Sequence, residues 1–274
     1  MKKAIGIFLT VLLAVGVIPF MGLAATAETE GDYTYEVANG RATVTGYVGA
    51  GGNITIPSTL GGAPVTTIGG QAFKDNNNIT SATIPSGVTT IGQRAFHYCK
   101  KLASVSIPNS VTSIGEWAFS GCESLTSVTL PGGIRIISDG TFNNCFSLKS
   151  IIIPNGVTSI GYAAFAACKT LASVTISDSV ESIGQNAFYG IDALKNVTIP
   201  KSVTSIGDRA FGNAYSGTVI WNFKVRCYKG TAGQAYAEDR GLAYDLIDGN
   251  STDSFVRAFE NFFQMIANLF VSRW

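Results

Sequence analysis

The chain has 274 residues, with 19 Lys and Arg against 18 Asp and Glu, so its formal net charge is +1. That balance argues against an extended polyanion site, and so against nucleic acid as a partner, because nucleic-acid binders carry a basic patch or stripe. Only 14% of the residues are charged, so the surface must be built largely from Ser, Thr, Asn and Gly.

Residues 1–27 carry Lys2 and Lys3, an apolar run from Ile5 to Phe20, and the small-x-small triplet Ala25-Thr26-Ala27. This order predicts a secretory signal peptide cleaved after Ala27. The alternative is a retained membrane anchor, but the run is short for a spanning helix, which needs about 20 residues. Removing the leader leaves 17 basic and 18 acidic side chains. The mature protein is then expected outside the cell, secreted or at the cell surface. Residues 28–64 read as an N-terminal capping segment, 65–216 as a repeat solenoid, 217–248 as a C-terminal capping repeat and 249–274 as a helical tail.

The repeat is set by seven Phe residues spaced 23 positions apart: Phe73, Phe96, Phe119, Phe142, Phe165, Phe188 and Phe211. A fixed period in the range of about 20–50 residues marks a solenoid or array. Each unit holds two apolar runs, V-x-x-I as in Val111 and Ile114, and L-x-x-V-x-I as in Leu125, Val128 and Leu130. The V-x-I alternation predicts a short strand with one buried face. Gly after Ile (Gly92, Gly115, Gly161, Gly184, Gly207) predicts a turn or a close backbone approach. Pro closes the strand. One early unit is lengthened near Thr59 to Ala63. Unit 132–154 departs locally, with Ile137-Ser138 for Ile-Gly and Thr141 for Ala.

Four of the five Cys, Cys99, Cys122, Cys145 and Cys168, share one repeat position. Stacked coils place them about 4.8 Å apart with parallel side chains, whereas a disulfide wants Cβ atoms about 3.8 Å apart. They are therefore expected as buried small apolar residues, with stacked disulfides the minority alternative. Parallel thiols do not converge on a tetrahedral zinc site.

The string V-T-S-I-G-x-x-A-F-x-x-C-x-x-L-x-S-V-x-I-P, recurring in register, resembles the BspA-like leucine-rich repeat family of bacterial surface and secreted proteins. The resemblance runs from about Tyr33 to Ile247. It implies a right-handed β-rich solenoid of short parallel strands and turns, ending in a strand and a short helix. It also implies adhesion or protein–protein contact, and it brings no catalytic residues or cofactor.

The residues themselves point the same way. His97 is the one His, and a lone imidazole without a paired acid and nucleophile makes no triad; an exposed loop position is expected. The acids Glu116, Asp139, Asp178, Glu181, Asp192 and Asp208 occupy different repeat positions, unlike a calcium-binding array. No enzyme, cofactor or metal site is expected. Ser and Thr line the strands as uncharged hydroxyl ladders. Variation falls beside the Phe column, where Tyr98, Trp117, Tyr162, Tyr189, Arg94 and Glu116 are the candidate binding surface, since aromatics and Arg are enriched at hot spots. The other possibility is that these rings fold back over the coil edges.

In the tail, Phe255, Phe259, Phe262, Phe263, Ile266, Phe270 and Trp274 follow helical spacing and form a candidate interface helix. Three roles are open to it: docking on its own solenoid, lying at a membrane or envelope interface, or self-association. The expected function is a non-catalytic binding module for a protein or host-surface ligand. The alternatives are a self-associating structural surface protein and an accessory to a carbohydrate-active enzyme.

Overall fold

A computed structural model describes residues 27–247. The predicted leader, apart from Ala27, and the candidate interface helix lie outside the described residues. The chain enters through an antiparallel meander of strands Glu28–Glu30, Tyr33–Ala38 and Arg41–Tyr47. The last of these pairs in parallel with Ala63–Ile68 and so covers the first edge of the stack. The extra residues near Thr59 fold as a tight hairpin, with Leu60 opposite Ala63. Gly61 and Gly62 supply its left-handed corner at φ 56° and 72°.

Most of the following coils contribute two short strands, stacked in parallel mainly on their equivalents 23 residues away. The V-x-x-I runs build a narrow ladder: Thr90–Ile91, Ser113–Ile114, then Ile136–Ile137, Ser159–Ile160, Ser182–Ile183 and Ser205–Ile206. The V-x-I runs build a wider one: Ile79–Thr83, Ser104–Ser106, Ser150–Ile152, Ser173–Thr175, Asn196–Thr198 and the terminal Lys224–Cys227 and Ala243–Leu246. Val128 was expected in such a strand, but its segment keeps only a bridge from Ser127 to Ser104. The alternation decides which side chains enter. Val105, Ile151 and Val197 are buried, while the flanking Ser and Thr face out.

The seven Phe rings form a continuous stack with centroids 4.7–5.5 Å apart and planes within 10° of parallel. No ring is more than 1% exposed. One coil cannot cover such a ring, so each depends on its neighbours for burial. Beside the stack run the four cysteines, all buried and unbridged. Each thiol donates to the carbonyl of the Phe 26 residues before it, as in Cys99 Sγ to Phe73 O at 3.0 Å and Cys145 Sγ to Phe119 O at 3.3 Å. Burial pushes the Cys99 and Cys168 thiols up to about 12.

The turn around each Phe is a second source of order. In the first six Phe turns the residues two before and two after the ring are left-handed, for example Arg94 and Tyr98 at φ 57° and Ala163 and Ala167 at φ 49° and 60°. Such φ values are unfavourable for residues with a Cβ. They persist because they aim alternate N–H groups along the solenoid. Arg94, Phe96 and Tyr98 donate to Glu116 O, Ala118 O and Ser120 O of the next coil at 2.7–2.9 Å. Gly sits where coils approach most closely: a methyl on Gly115 would stand 2.5 Å from Gln93 N, and one on Gly207 2.3 Å from Gln185 N.

Tyrosines end the stack. Tyr33 and Tyr47 pack on Phe73 at 6.5 and 5.7 Å. At the other end the helix Ala232–Asp239 brings Tyr236 edge-on to Phe211 at 6.2 Å. Its hydroxyl accepts from Phe211 N at 2.8 Å and donates to Phe211 O at 3.0 Å. One side chain thus takes the place of the next coil's backbone. No helix among the described residues is long and apolar enough to cross a membrane.

Candidate binding surface

A binding surface needs groups that the fold has not already used, and the hydroxyls beside the narrow ladder are largely used. Thr89, Thr112, Thr158 and Thr204 each donate to a carbonyl of the preceding coil at 3.2–3.4 Å. Ser182 Oγ meets Ser159 Oγ at 2.9 Å. These contacts tie coils together, so the ladders carry structure as well as solubility.

The edges of the Phe turns differ from coil to coil. Tyr98 and Tyr162 are 40% and 44% exposed, and Arg94 and Glu116 are exposed. Trp117 and Tyr189 are half-buried. The four aromatics stand at four different offsets from their Phe, and among the described residues no ring contact joins any two of them. Glu116 Oε2 instead accepts from Gln93 Nε2 at 3.0 Å. Two of the rings lie over a glycine at the same offset in the next coil. A methyl on Gly121 would stand 2.3 Å from the Tyr98 ring, and one on Gly140 would stand 2.2 Å from the Trp117 ring. These two rings lean along the solenoid. On the exposed faces left to it, the candidate surface is a polar-aromatic edge, not a single column.

The solenoid has clear counterparts. The model of the BspA type leucine rich repeat region matches residues 66–177 and 158–226, in six copies. The chain belongs to this BspA-type family. A leucine-rich cell surface protein of Faecalibacterium prausnitzii is 34% identical with a TM-score of 0.66, over 74% of this chain and 55% of its own. A leucine-rich repeat protein from Bacteroides ovatus is 35% identical with a TM-score of 0.62, over 67% of this chain and 50% of its own. The chain spans about half the length of these relatives. No curated protein matches it.

Within this BspA-type solenoid, no three His, Cys, Asp or Glu side chains of the described residues gather as a metal site. His97 departs from expectation: it is half-buried rather than exposed, 4.1 Å from the Tyr98 ring. Burial and the nearby Arg94 lower its pKa. A cleft of ≈ 410 Å³ lies between strand Ser205–Ile206 and the terminal helix, lined by Asp208, Tyr236, Asp239 and Arg240 among others. Its charges are paired, Arg240 with Asp208.

Other exposed groups escaped the sequence reading. Ile136 and Ile152 are 55% and 68% exposed, each at a position where the neighbouring coils carry Ser or Thr. Aligning outward strand positions as well as inward ones would have found them. A hairpin closed by Asn213 and Val219 projects before the terminal strand, leaving Tyr215 and Trp221 51% and 83% exposed. Lys169 Nζ sits 4.2 Å from the Tyr215 ring and 4.8 Å from that of Phe146. The relevant signal was spacing: Val197 pairs with Val225, 28 residues on instead of 23.

Proposed function

We propose that this protein is a non-catalytic binding module displayed outside the cell, secreted or held at a bacterial surface. It engages a protein or host-surface ligand through the residues that break the repeat. The observation that supports this reading is the division of labour among positions. In-register apolar side chains are buried and the narrow-ladder hydroxyls bond a neighbouring coil, whereas Tyr98, Tyr162, Arg94 and Glu116 differ between coils and face solvent. A cell-surface relative of similar fold supports the location.

The test is capture on a protein and glycan array by residues 28–274, repeated with residues 28–250. The combined Trp117→Ala, Tyr162→Ala and Tyr189→Ala variant is run alongside. Binding that survives removal of the tail and is lost in the triple variant assigns the ligand to the edge. Binding lost with residues 251–274 assigns it to the tail instead. Equal capture by the triple variant removes the edge from consideration.

A further inference from the structure

We infer that the junction between coils 109–131 and 132–154 is a built-in seam, at which the solenoid opens as a wedge hinged on the Phe column. Among the described coils, this is the junction where both strand ladders lapse together. Ser113–Ile114 pairs back to Thr90–Ile91 but not forward, and Ile136–Ile137 pairs only forward, to Ser159–Ile160. In the wide ladder, Ser127 bridges back to Ser104 while Ser150–Ile152 pairs only forward, to Ser173–Thr175. The wide ladder lapses again between Thr175 and Asn196, but there the narrow ladder continues, with Ser159 on Ser182.

The cause is legible at one residue. In five other coils a Gly N–H donates to the preceding Ile carbonyl: Gly92, Gly115, Gly161, Gly184 and Gly207, at 2.7–2.8 Å. Close approach there leaves no room for a Cβ: a methyl on Gly92 would stand 2.6 Å from Gly70 N. Coil 132–154 carries Ser138 at this position, so its Cβ needs space that the other coils do not give. The coil stands off, and the Ser138 hydroxyl reaches back instead, to Ile114 O at 2.7 Å. Thr141, buried where other coils have Ala, bonds Ser138 O at 2.7 Å. The Phe142 ring shows the same spacing. It is 5.5 Å from both neighbours, the widest gaps in the stack, so the spacing marks this coil on both sides and not the seam alone.

The turn ladder does not lapse. Trp117, Phe119 and Gly121 still donate to Asp139, Thr141 and Asn143 at 2.7–2.9 Å. On the strand sides the ladder pairs lapse, leaving Ser147 N on Glu123 O at 3.1 Å, Lys149 N on Thr126 O at 3.2 Å and the Ser138 hydroxyl bond. The full set of turn bonds is kept at the Phe edge, so the soft motion is rotation about that edge. Local opening is expected where backbone bonds are fewest. The outward Ile136 and Ile152 belong to the coil bordering this gap.

Hydrogen exchange on residues 28–274 tests the seam. Peptides covering 111–117 and 134–138 are expected to exchange faster than their equivalents at 157–161 and 180–184. Ser138→Gly restores the usual close approach and backbone bond, and is expected to slow exchange at the seam roughly fivefold, about the worth of one net hydrogen bond. Ser138→Ala keeps the Cβ and loses the hydroxyl, and is expected to speed it. Spin labels placed at Thr83 and Thr198, across the junction on the strand side, should give a broader distance distribution than labels at Asp75 and Gln185 on the Phe-turn side. Uniform exchange across the coils, faster exchange in both Ser138 variants, or equally narrow distributions would overturn the proposal.

Discussion

The Phe column and the edge beside it are built from the same 23-residue unit, yet they obey different constraints. In the column each ring is covered by its neighbours on both sides, and a change in one coil is felt in two others. At the edge Tyr162 or Arg94 can change without disturbing another coil's packing. Repetition therefore protects the scaffold and frees the edge. Trp117 and Tyr98 fall between the two cases, since each ring rests on a glycine that belongs to the next coil.

The largest effect should come from breaking the column. Phe142→Ala is expected to destabilise the solenoid by about 3–5 kcal/mol, as for other fully buried rings, read from chemical denaturation. Tyr236→Phe leaves the ring contact but removes both bonds to Phe211. A loss of about 1–3 kcal/mol is expected, the cost of an unsatisfied buried backbone group. Protons probe the same contrast. The core holds Cys99 and Cys168 as neutral thiols, raised to about 12 against 9.0 for an ordinary thiol. Their contribution is intact below pH 9 and falls as pH rises from there towards 12, because only the unfolded chain can release these protons in that window. In native protein at pH 8, iodoacetamide should leave Cys99, Cys122, Cys145 and Cys168 unmodified, and denaturant should expose all of them. The smallest effect belongs to the edge. Tyr162→Ala should shift stability by no more than about 0.5 kcal/mol, while reducing ligand capture. A stability loss as large as that of Tyr236→Phe would place Tyr162 in the scaffold.

Much of the scaffold could be read from the chain alone. Fixed spacing reveals which positions are equivalent, and hydrophobicity reveals which of those face inward. The Phe stack, the unbridged cysteines and the close approach at Gly115 follow from those two facts. What one period cannot reveal is which groups meet across it. The Cys99 thiol bonds a carbonyl 26 residues away, because the coil advances three residues past the repeat between donor and acceptor. The left-handed φ values at Trp117 and Ala163 were hidden too, since neither residue type favours them and only the ladder of N–H groups to the next coil explains them. The Tyr98–Gly121 and Trp117–Gly140 pairs were visible as a large residue followed by Gly at the same offset, but only side by side do they read as a contact. Ser138 was noticed as a departure. Its consequence for two strand ladders needed the coil geometry.

Tyr236 and the Tyr33–Tyr47 pair have a bearing on how such a molecule can grow. Each cap touches one terminal ring of the stack and none of the rings between. The caps therefore recognise a coil, not a number of coils. Insertion or deletion of a whole 23-residue block between them presents the same Phe to the same tyrosine, so length is free to vary in unit steps. The two terminators need no matching change, and each block gained or lost adds or removes one segment of display edge.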